Sequence, residues 1–254
     1  MWRLRPMGEQ APVGIPDAHV HLPAYSDPGA VVESAKMRGI RLTSVTVSAA
    51  EAARNFRLRE ENPSTVRCFI GIHPSEAVAE QGDFGKLESL WEAADGVGEV
   101  GLDPKYSAIS PGSDQMGLFK AQVEVAERLK KPIQVHSRGA EERCLDVLEG
   151  YSLRSLLMHW FEGEDSVPRV LSGGRFVSFG PAILYSKKLV RIAKKCPPEI
   201  VLAESDGPVA FAPLGGAEGP GLTPSVGFKL AEVWGKSFDE AVLQLSLNER
   251  AFFR

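Results

Sequence analysis

The chain lacks any run of about 18 apolar residues, so nothing in its 254 residues is expected to cross a membrane. It has only three cysteines, Cys68, Cys144 and Cys196, far apart and with no Cys-x-x-Cys spacing. That argues against a disulfide framework and for a reducing, cytoplasmic setting. A strong positive charge is also missing. The net charge of −4 gives no support to broad electrostatic capture of nucleic acid. Met1–Gln10 carries two arginines but no apolar core of a signal peptide, so residues 1–12 read as a short extension before the first strand. There is no internal repeat, linker or low-complexity segment, and residues 1–254 read as a single domain.

What is present is an alternation. Apolar or β-branched runs predict strands at Val13–Ala18, Leu42–Val47, Val66–Ile72, Val97–Gly101, Ile133–His136, Leu153–His159, Arg175–Phe179 and Ile200–Glu204. Helical patterns lie between them, at Asp27–Arg38, Ala49–Glu61, Asp83–Ala94, Asp114–Lys131, Gly139–Leu148, Asp165–Leu171 and Ser186–Cys196. Asp27 followed by Pro28 is a helix start, and Leu118, Val125 and Leu129 mark one apolar face. Eight strands separated by helices predict an α/β fold with a parallel sheet. A doubly wound open sheet gives the same alternation, but the length favours a (β/α)8 TIM barrel. The Pro- and Gly-rich stretch 207–224 reads as a long loop after strand eight, followed by closing helices at Ser225–Trp234 and Phe238–Leu247.

On such a barrel, functional groups gather at the carboxyl ends of the strands. All five histidines fall there: His19 and His21 after strand one, His73 after strand three, His136 after strand five and His159 after strand six. Along an extended strand, residues i and i+2 share a side, so Asp17-Ala18-His19-Val20-His21 makes a starting clamp for a divalent ion. Glu99 sits in an otherwise apolar strand four and Asp206 follows strand eight. A charge inside a core strand is costly unless paired or bound to metal. Taken singly, each has an ordinary explanation, as a hydrogen-bonded structural histidine, an ion pair or a turn cap. Their common placement at one end of one barrel favours a metal site. Substrate contact and a structural turn fit His73 equally well. Arg138 is suited to an anionic substrate group, or to a salt bridge with a neighbouring helix. Asp103 either supports a ligand histidine by a hydrogen bond or ends its strand. Lys187, Lys188, Arg191, Lys194 and Lys195 line one face of the helix at Ser186–Cys196. A solvated outer face is the ordinary reading, and tracking of a phosphate backbone is the other.

An ordered series of motifs covers nearly the whole chain: Asp17-x-His19-x-His21, Gly71-x-His73-Pro74, Gly98-Glu99-x-Gly101-Leu102-Asp103, His136-x-Arg138, His159-x-Phe161-x-Gly163, Glu204-Ser205-Asp206-x-Pro208 and Asn248. In these the sequence resembles the TatD family of metal-dependent hydrolases, within the amidohydrolase-like barrels. The resemblance implies a (β/α)8 barrel holding one or two divalent ions. His19, His21 and Asp206 would hold one, His136 and His159 the other, and Glu99 would bridge them. Asp17 and Asp103 would stand one step behind these ligands. The family is mostly described as magnesium-dependent deoxyribonucleases, with some deacylases of aminoacyl-tRNA. The chain departs from the family's usual Glu-Thr-Asp at Ser205, from its aromatic residues at Pro104-Lys105-Tyr106, and from its Asn-Glu-Pro at Gly221-Leu222-Thr223-Pro224. These loops shape the substrate mouth.

Four imidazoles with two carboxylates suit zinc, manganese, iron or nickel better than magnesium, which prefers oxygen. The expected cofactor is two divalent ions: zinc, manganese or magnesium. Two ions about 3.5–4 Å apart suit the cleavage of DNA or another phosphodiester by an activated water. Asp206 would act as general base beside Glu99, with Arg138 and His73 neutralising phosphate charge. Hydrolysis of an amide or ester, aminoacyl-tRNA included, uses the same chemistry. A binding barrel that keeps metal for stability alone is the remaining reading.

Overall fold

The structure is a computed structural model and describes residues 14–77, 84–109, 114–211, 216–217 and 219–254. The expected extension 1–12 lies outside them. Eight strands form one parallel sheet in sequential order. They are β1 (Ile15–Val20), β2 (Ile40–Ser44), β3 (Val66–Ile70), β4 (Gly96–Gly101), β5 (Ile133–His136), β6 (Leu156–Met158), β7 (Phe176–Phe179) and β8 (Val201–Ala203). Side-chain and backbone bonds draw the last strand back to the first. Ser205 N–H donates to Asp17 Oδ1 at 2.9 Å, Asp206 N–H to His19 O at 2.9 Å and His21 N–H to Gly207 O at 2.8 Å. The result is the expected (β/α)8 barrel.

Around it, in chain order, lie α1 (Pro28–Met37), α2 (Ala49–Glu61), α3 (Glu88–Ala93), α4 (Pro104–Ile109), α5 (Gln115–Arg128), α6 (Glu141–Leu148), α7 (Val167–Ser172), α8 (Lys187–Lys195), α9 (Thr223–Trp234) and α10 (Phe238–Phe252). Local chemistry sets their starts. Asp27, Asp114 and Ser186 each accept the N–H three residues on, and Ser237 with Glu240 forms a reciprocal capping box. The pattern expected over Asp83–Ala94 splits, from Phe84, into a 3₁₀ turn at Phe84–Leu87 and then α3; Asp83 lies outside the described residues. The sequence did not announce α4, where Pro104 opens a short helix directly behind Asp103. The expected loop 207–224 contains a two-stranded hairpin, Ala210–Phe211 with Gly216–Ala217, and ends in a 3₁₀ turn, so that α9 begins at Thr223 rather than Ser225.

Most buried apolar residues form one cluster between barrel and helices, centred on residues such as Val97, Val135, Phe119, Leu145 and Leu230. A smaller cluster joins Ala18, Phe69, Leu157 and Leu202 with Phe252. These come from β1, β3, β6 and β8, which are spread around the ring, so they meet inside the barrel. Above this plug, the carboxyl ends of the strands hold the buried histidines, Glu99 and Asp206. Asn248 of α10 donates to Pro198 O at 2.6 Å and Val201 O at 2.7 Å, which fixes the start of β8.

Candidate metal centre

The i, i+2 spacing at the end of β1 turns His19 and His21 to one side, with their Nε2 atoms 3.4 Å apart. A hydrogen bond fixes which atom His19 presents. Gln134 Nε2 donates to Ala18 O at 2.9 Å, so Gln134 Oε1, 2.7 Å from His19 Nδ1, is the acceptor. His19 therefore carries its proton on Nδ1 and aims the Nε2 lone pair at His21, Glu99 and Asp206. Asp206 closes this side, with Oδ1 3.1 Å from His21 Nε2 and 3.6 Å from His19 Nε2.

Glu99 is buried at the middle, and its two oxygens face different partners. Oε2 lies 3.4 Å from His19 Nε2 and 3.5 Å from His21 Nε2. Oε1 lies 2.7 Å from both His136 Nδ1 and His159 Nε2. His136 also has an enforced tautomer. Its Nε2 is 2.8 Å from Asp103 Oδ2, which accepts a hydrogen bond from the Nε2–H and leaves the Nδ1 lone pair toward Glu99. His159 Nδ1 faces the buried Glu204 at 3.8 Å, so its Nε2 likewise points inward.

These atoms fit a cation. Two donors each about 2.0–2.1 Å from a tetrahedral ion stand roughly 3.3–3.4 Å apart. His19 Nε2 and His21 Nε2 are separated by 3.4 Å, and His136 Nδ1 and His159 Nε2 by 3.3 Å. Lone pairs of buried imidazoles and carboxylates converging in this way repel one another unless positive charge lies among them.

The titration behaviour has the same origin. Burial alone would raise the Glu99 carboxyl, but the imidazoles of His159, His73 and His136 outweigh it and hold Glu99 well below its ordinary range. Burial likewise opposes ionisation of Asp206, and His21 overcomes it, so Asp206 is lowered. Burial works against charging His21, His136 and His159, yet the carboxylates beside them leave all three raised. Atoms able to ligate a metal lie close together in three groups: His19, His21 and Glu99; His19, His159 and Asp206; and His73, Glu99 and His136.

Residues 16–254 match the family model described as TatD related DNase. This chain belongs to that family. Among its relatives, the deoxyribonuclease TATDN3 of Homo sapiens is 26% identical over 263 residues, covering 96% of each chain. An uncharacterized metal-dependent hydrolase of Bacillus subtilis, YabD, is 28% identical over 256 residues, covering 94% of this chain and 98% of that one. The crystal structure of the TatD homologue YJJV from Escherichia coli superposes with a TM-score of 0.82 at 23% identity, over 94% of this chain and 97% of the other, and so shares the fold.

Within this TatD family member, the other residues singled out from the sequence have distinct surroundings. His73 brings Nε2 to 3.6 Å from Glu99 Oε1 and sets its ring edge-on to that of His136, with centroids 4.5 Å apart. Its Nδ1 accepts the Ser75 N–H at 3.1 Å, so its proton is on Nε2, the wrong atom to bare for a metal. Burial pushes His73 down to about 3, so it is neutral. Asp103 is buried and, although burial opposes ionisation, His136, the Lys105 N–H and Arg138 take it down to about 2. Arg138 gives Nε at 2.9 Å and Nη2 at 2.6 Å to Asp103 Oδ2 and lies 5.3 Å over the Tyr106 ring, while its side chain stays 49% exposed at the mouth. Asp17 reaches no imidazole. It accepts from Ser205 N–H and from Thr223 Oγ1, both at 2.9 Å, and burial raises it to about 7. The basic face of α8 is on the outer ring and is partly neutralised: Glu164 meets Arg191 at 3.2 Å and Lys195 at 2.8 Å.

Sequence reasoning missed Gln134, Glu204, Tyr106 and Trp160. The signal for Gln134 was available, since it stands two residues before His136 on the same strand and on the same side. Glu204 is wholly buried, accepting Ser178 Oγ at 2.5 Å and Trp160 N–H at 2.8 Å.

Proposed function

We propose that this chain is a two-metal hydrolase of phosphodiester bonds with DNA as its substrate. The observation that carries the reading is the division of Glu99, one oxygen toward His19 and His21, the other toward His136 and His159. A carboxylate shared between two nitrogen pairs suits a pair of ions, and the nitrogen-rich set favours zinc or manganese over magnesium. The name of the human relative supports DNA. When bound, the ions would acidify a water and supply positive charge to the phosphoryl oxygens.

The chain's own residues divide the remaining work. His19, His21 and Asp206 would hold one ion and His136 and His159 the other, with Glu99 shared between the two sets. Asp206, ionised and 9% exposed, takes the proton of the attacking water as general base. Water oxygen bonds to phosphorus, the bond from phosphorus to the leaving sugar oxygen breaks, and the proton held by Asp206 passes to that oxygen. Arg138 binds a non-bridging phosphate oxygen with the donors that Asp103 leaves free. His73, being neutral, offers one directional Nε2–H in place of the charge expected from the sequence. Asp103 and Gln134 fix the tautomers of His136 and His19.

The test assays wild type and Asp206→Asn on single-stranded DNA, RNA and a chromogenic phosphodiester, with a panel of divalent metals and a chelated control. Metal-dependent cleavage of DNA by wild type, abolished in Asp206→Asn with an unchanged circular dichroism spectrum, is expected. Cleavage of no phosphodiester, with hydrolysis of an amide or ester instead, would transfer the site to acyl substrates. Turnover retained by Asp206→Asn would remove it as the base.

A further inference from the structure

Beyond the last sheet pairings of β3 and β4, the buried backbone groups of Ile72 and Asp103 need partners outside the ladder. Two buried glutamines of α5 supply them. Gln122 serves one residue. Its Oε1 accepts the Ile72 N–H at 2.7 Å and its Nε2 donates to Ile72 O at 3.0 Å. Gln115 lies seven residues earlier, about two turns along the same face, and spans two strand ends. Its Oε1 accepts the Asp103 N–H at 3.0 Å. Its Nε2 donates to Asp103 O at 3.1 Å and, across to the other strand end, to Pro74 O at 3.2 Å. Both amide protons meet carbonyls, which fixes the orientation of the amide. Gln115 is itself held at the first position of α5, where Asp114 accepts the Gly117 N–H at 2.7 Å.

The two backbones joined in this way carry the two phosphate contacts. Pro74 follows His73, and Asp103 holds Arg138 through Oδ2 at 2.6 and 2.9 Å. Tyr106 stands between the two contacts. Its ring centroid is 5.5 Å from that of His73 and 5.3 Å from the Arg138 guanidinium, and its N–H donates to the same Asp103 carbonyl at 3.1 Å. His73, Tyr106 and Arg138 border one cavity of about 340 Å³ over the metal cluster. Satisfying the Asp103 backbone would take only the first two bonds of Gln115. The third, to Pro74 O, instead fixes how far the His73 loop stands from the Arg138 side.

We propose that Gln115 is a positioning residue that sets the spacing of a two-point phosphate clamp, with His73 on one side and Arg138 on the other. This rests on the phosphodiesterase reading above and adds a residue that touches neither substrate nor metal. Two donors reach one phosphate together only at a fixed separation, and a displacement of about 1 Å is enough to lose that advantage.

The experiment is a double-mutant cycle between Arg138→Leu and Gln115→Met, which keeps the bulk of the side chain and removes its bonds. The proteins are loaded with manganese and their folding is followed by thermal melts. Two quantities are measured: KM and kcat on a chromogenic phosphodiester, and affinity for inorganic phosphate by calorimetry. Gln115→Met alone should raise KM by about 10-fold with kcat nearly unchanged, and weaken phosphate by a similar factor. In the Arg138→Leu background it should change either quantity by less than about twofold. Gln122→Met removes two bonds from the same helix, so it should lower the melting temperature without coupling to Arg138. An effect of Gln115→Met that is equal in both backgrounds, or matched by Gln122→Met, would make Gln115 a purely structural residue and overturn the proposal. Should Gln115→Met not fold, Gln115→Asn, one methylene shorter, takes its place in the cycle. Coupling in phosphate affinity without cleavage of any phosphodiester would keep the clamp and remove the phosphodiesterase reading. Cleavage with no coupling in either quantity would do the reverse.

Discussion

His19 owes its chemistry to one neighbour. Its Nδ1 is bound by Gln134 Oε1 at 2.7 Å, which is why Nε2 faces the other ligands with a lone pair. Gln134→Leu should keep the barrel, since a leucine has similar volume, but would strand the buried Nδ1–H and release the tautomer. Metal affinity measured by titration calorimetry should fall by about 10- to 100-fold; unchanged affinity would show that the amide only fills space. The histidines, Glu99 and Asp206 were legible in the sequence because polar groups at the ends of apolar strands demand a partner. Gln134 offered only its place two residues before His136, because a neutral amide in an apolar strand otherwise reads as core. The cysteines carry the complementary lesson. Burial pushes Cys68 and Cys144 up to about 12 and Cys196 up to about 11. Native protein should leave all three unmodified by an aromatic disulfide reagent at pH 8, and denatured protein should react at all three. Rapid labelling of the native chain would contradict this packing.

Among the elements, strands were easier to place than their edges. Ile133–His136 matches its apolar run residue for residue, whereas the run Leu153–His159 gives a strand only at Leu156–Met158. The surplus at its end, His159, is the part that turns into the site, so a strand shortens where side chains are needed for chemistry. Helix starts with a capping side chain were legible, while α4 was hidden because Pro104 follows a carboxylate that also serves His136. Two substitutions separate a local from a shared role. Ser237→Ala removes the capping box of α10 and should cost about 1 kcal/mol, lowering the melting temperature by about 2–4 °C. Gly101→Ala is different in kind. Gly101 has a φ of +145°, and a Cβ there would lie 2.0 Å from His136 O, on the neighbouring strand. It should destabilise more than Ser237→Ala in thermal melts and also weaken metal binding, because β4 and β5 carry Glu99 and His136. Equal melts for the two variants would refute the close approach of these strands.

At the scale of the whole molecule, the candidate metal centre and the barrel seam are one construction. The proposed ligands come from β1, β4, β5 and the ends of β6 and β8, and the seam between β8 and β1 is tied by the Asp206 N–H to His19 O, 2.9 Å, within that set of residues. Unfolding separates ligands that lie as far apart in the chain as His19 and Asp206, so an ion bound only by the native state stabilises the entire barrel. At a free metal concentration of 100 times Kd the gain is about 2.7 kcal/mol, or a rise of roughly 5–10 °C in melting temperature for a chain of this size. The gain must also depend on pH. In the metal-free protein His21, His136 and His159 are raised, so their imidazolium–carboxylate pairing stabilises the fold fully below the ordinary histidine value and is lost as pH climbs through the raised values. A metal ion has to displace the same protons, so it competes poorly at low pH and well at high pH. Melts recorded with zinc or manganese and with chelator should therefore diverge more at pH 8 than at pH 6, with the chelated protein losing stability over that interval. An increment of the same size at both pH values would mean that the ion binds away from these imidazoles.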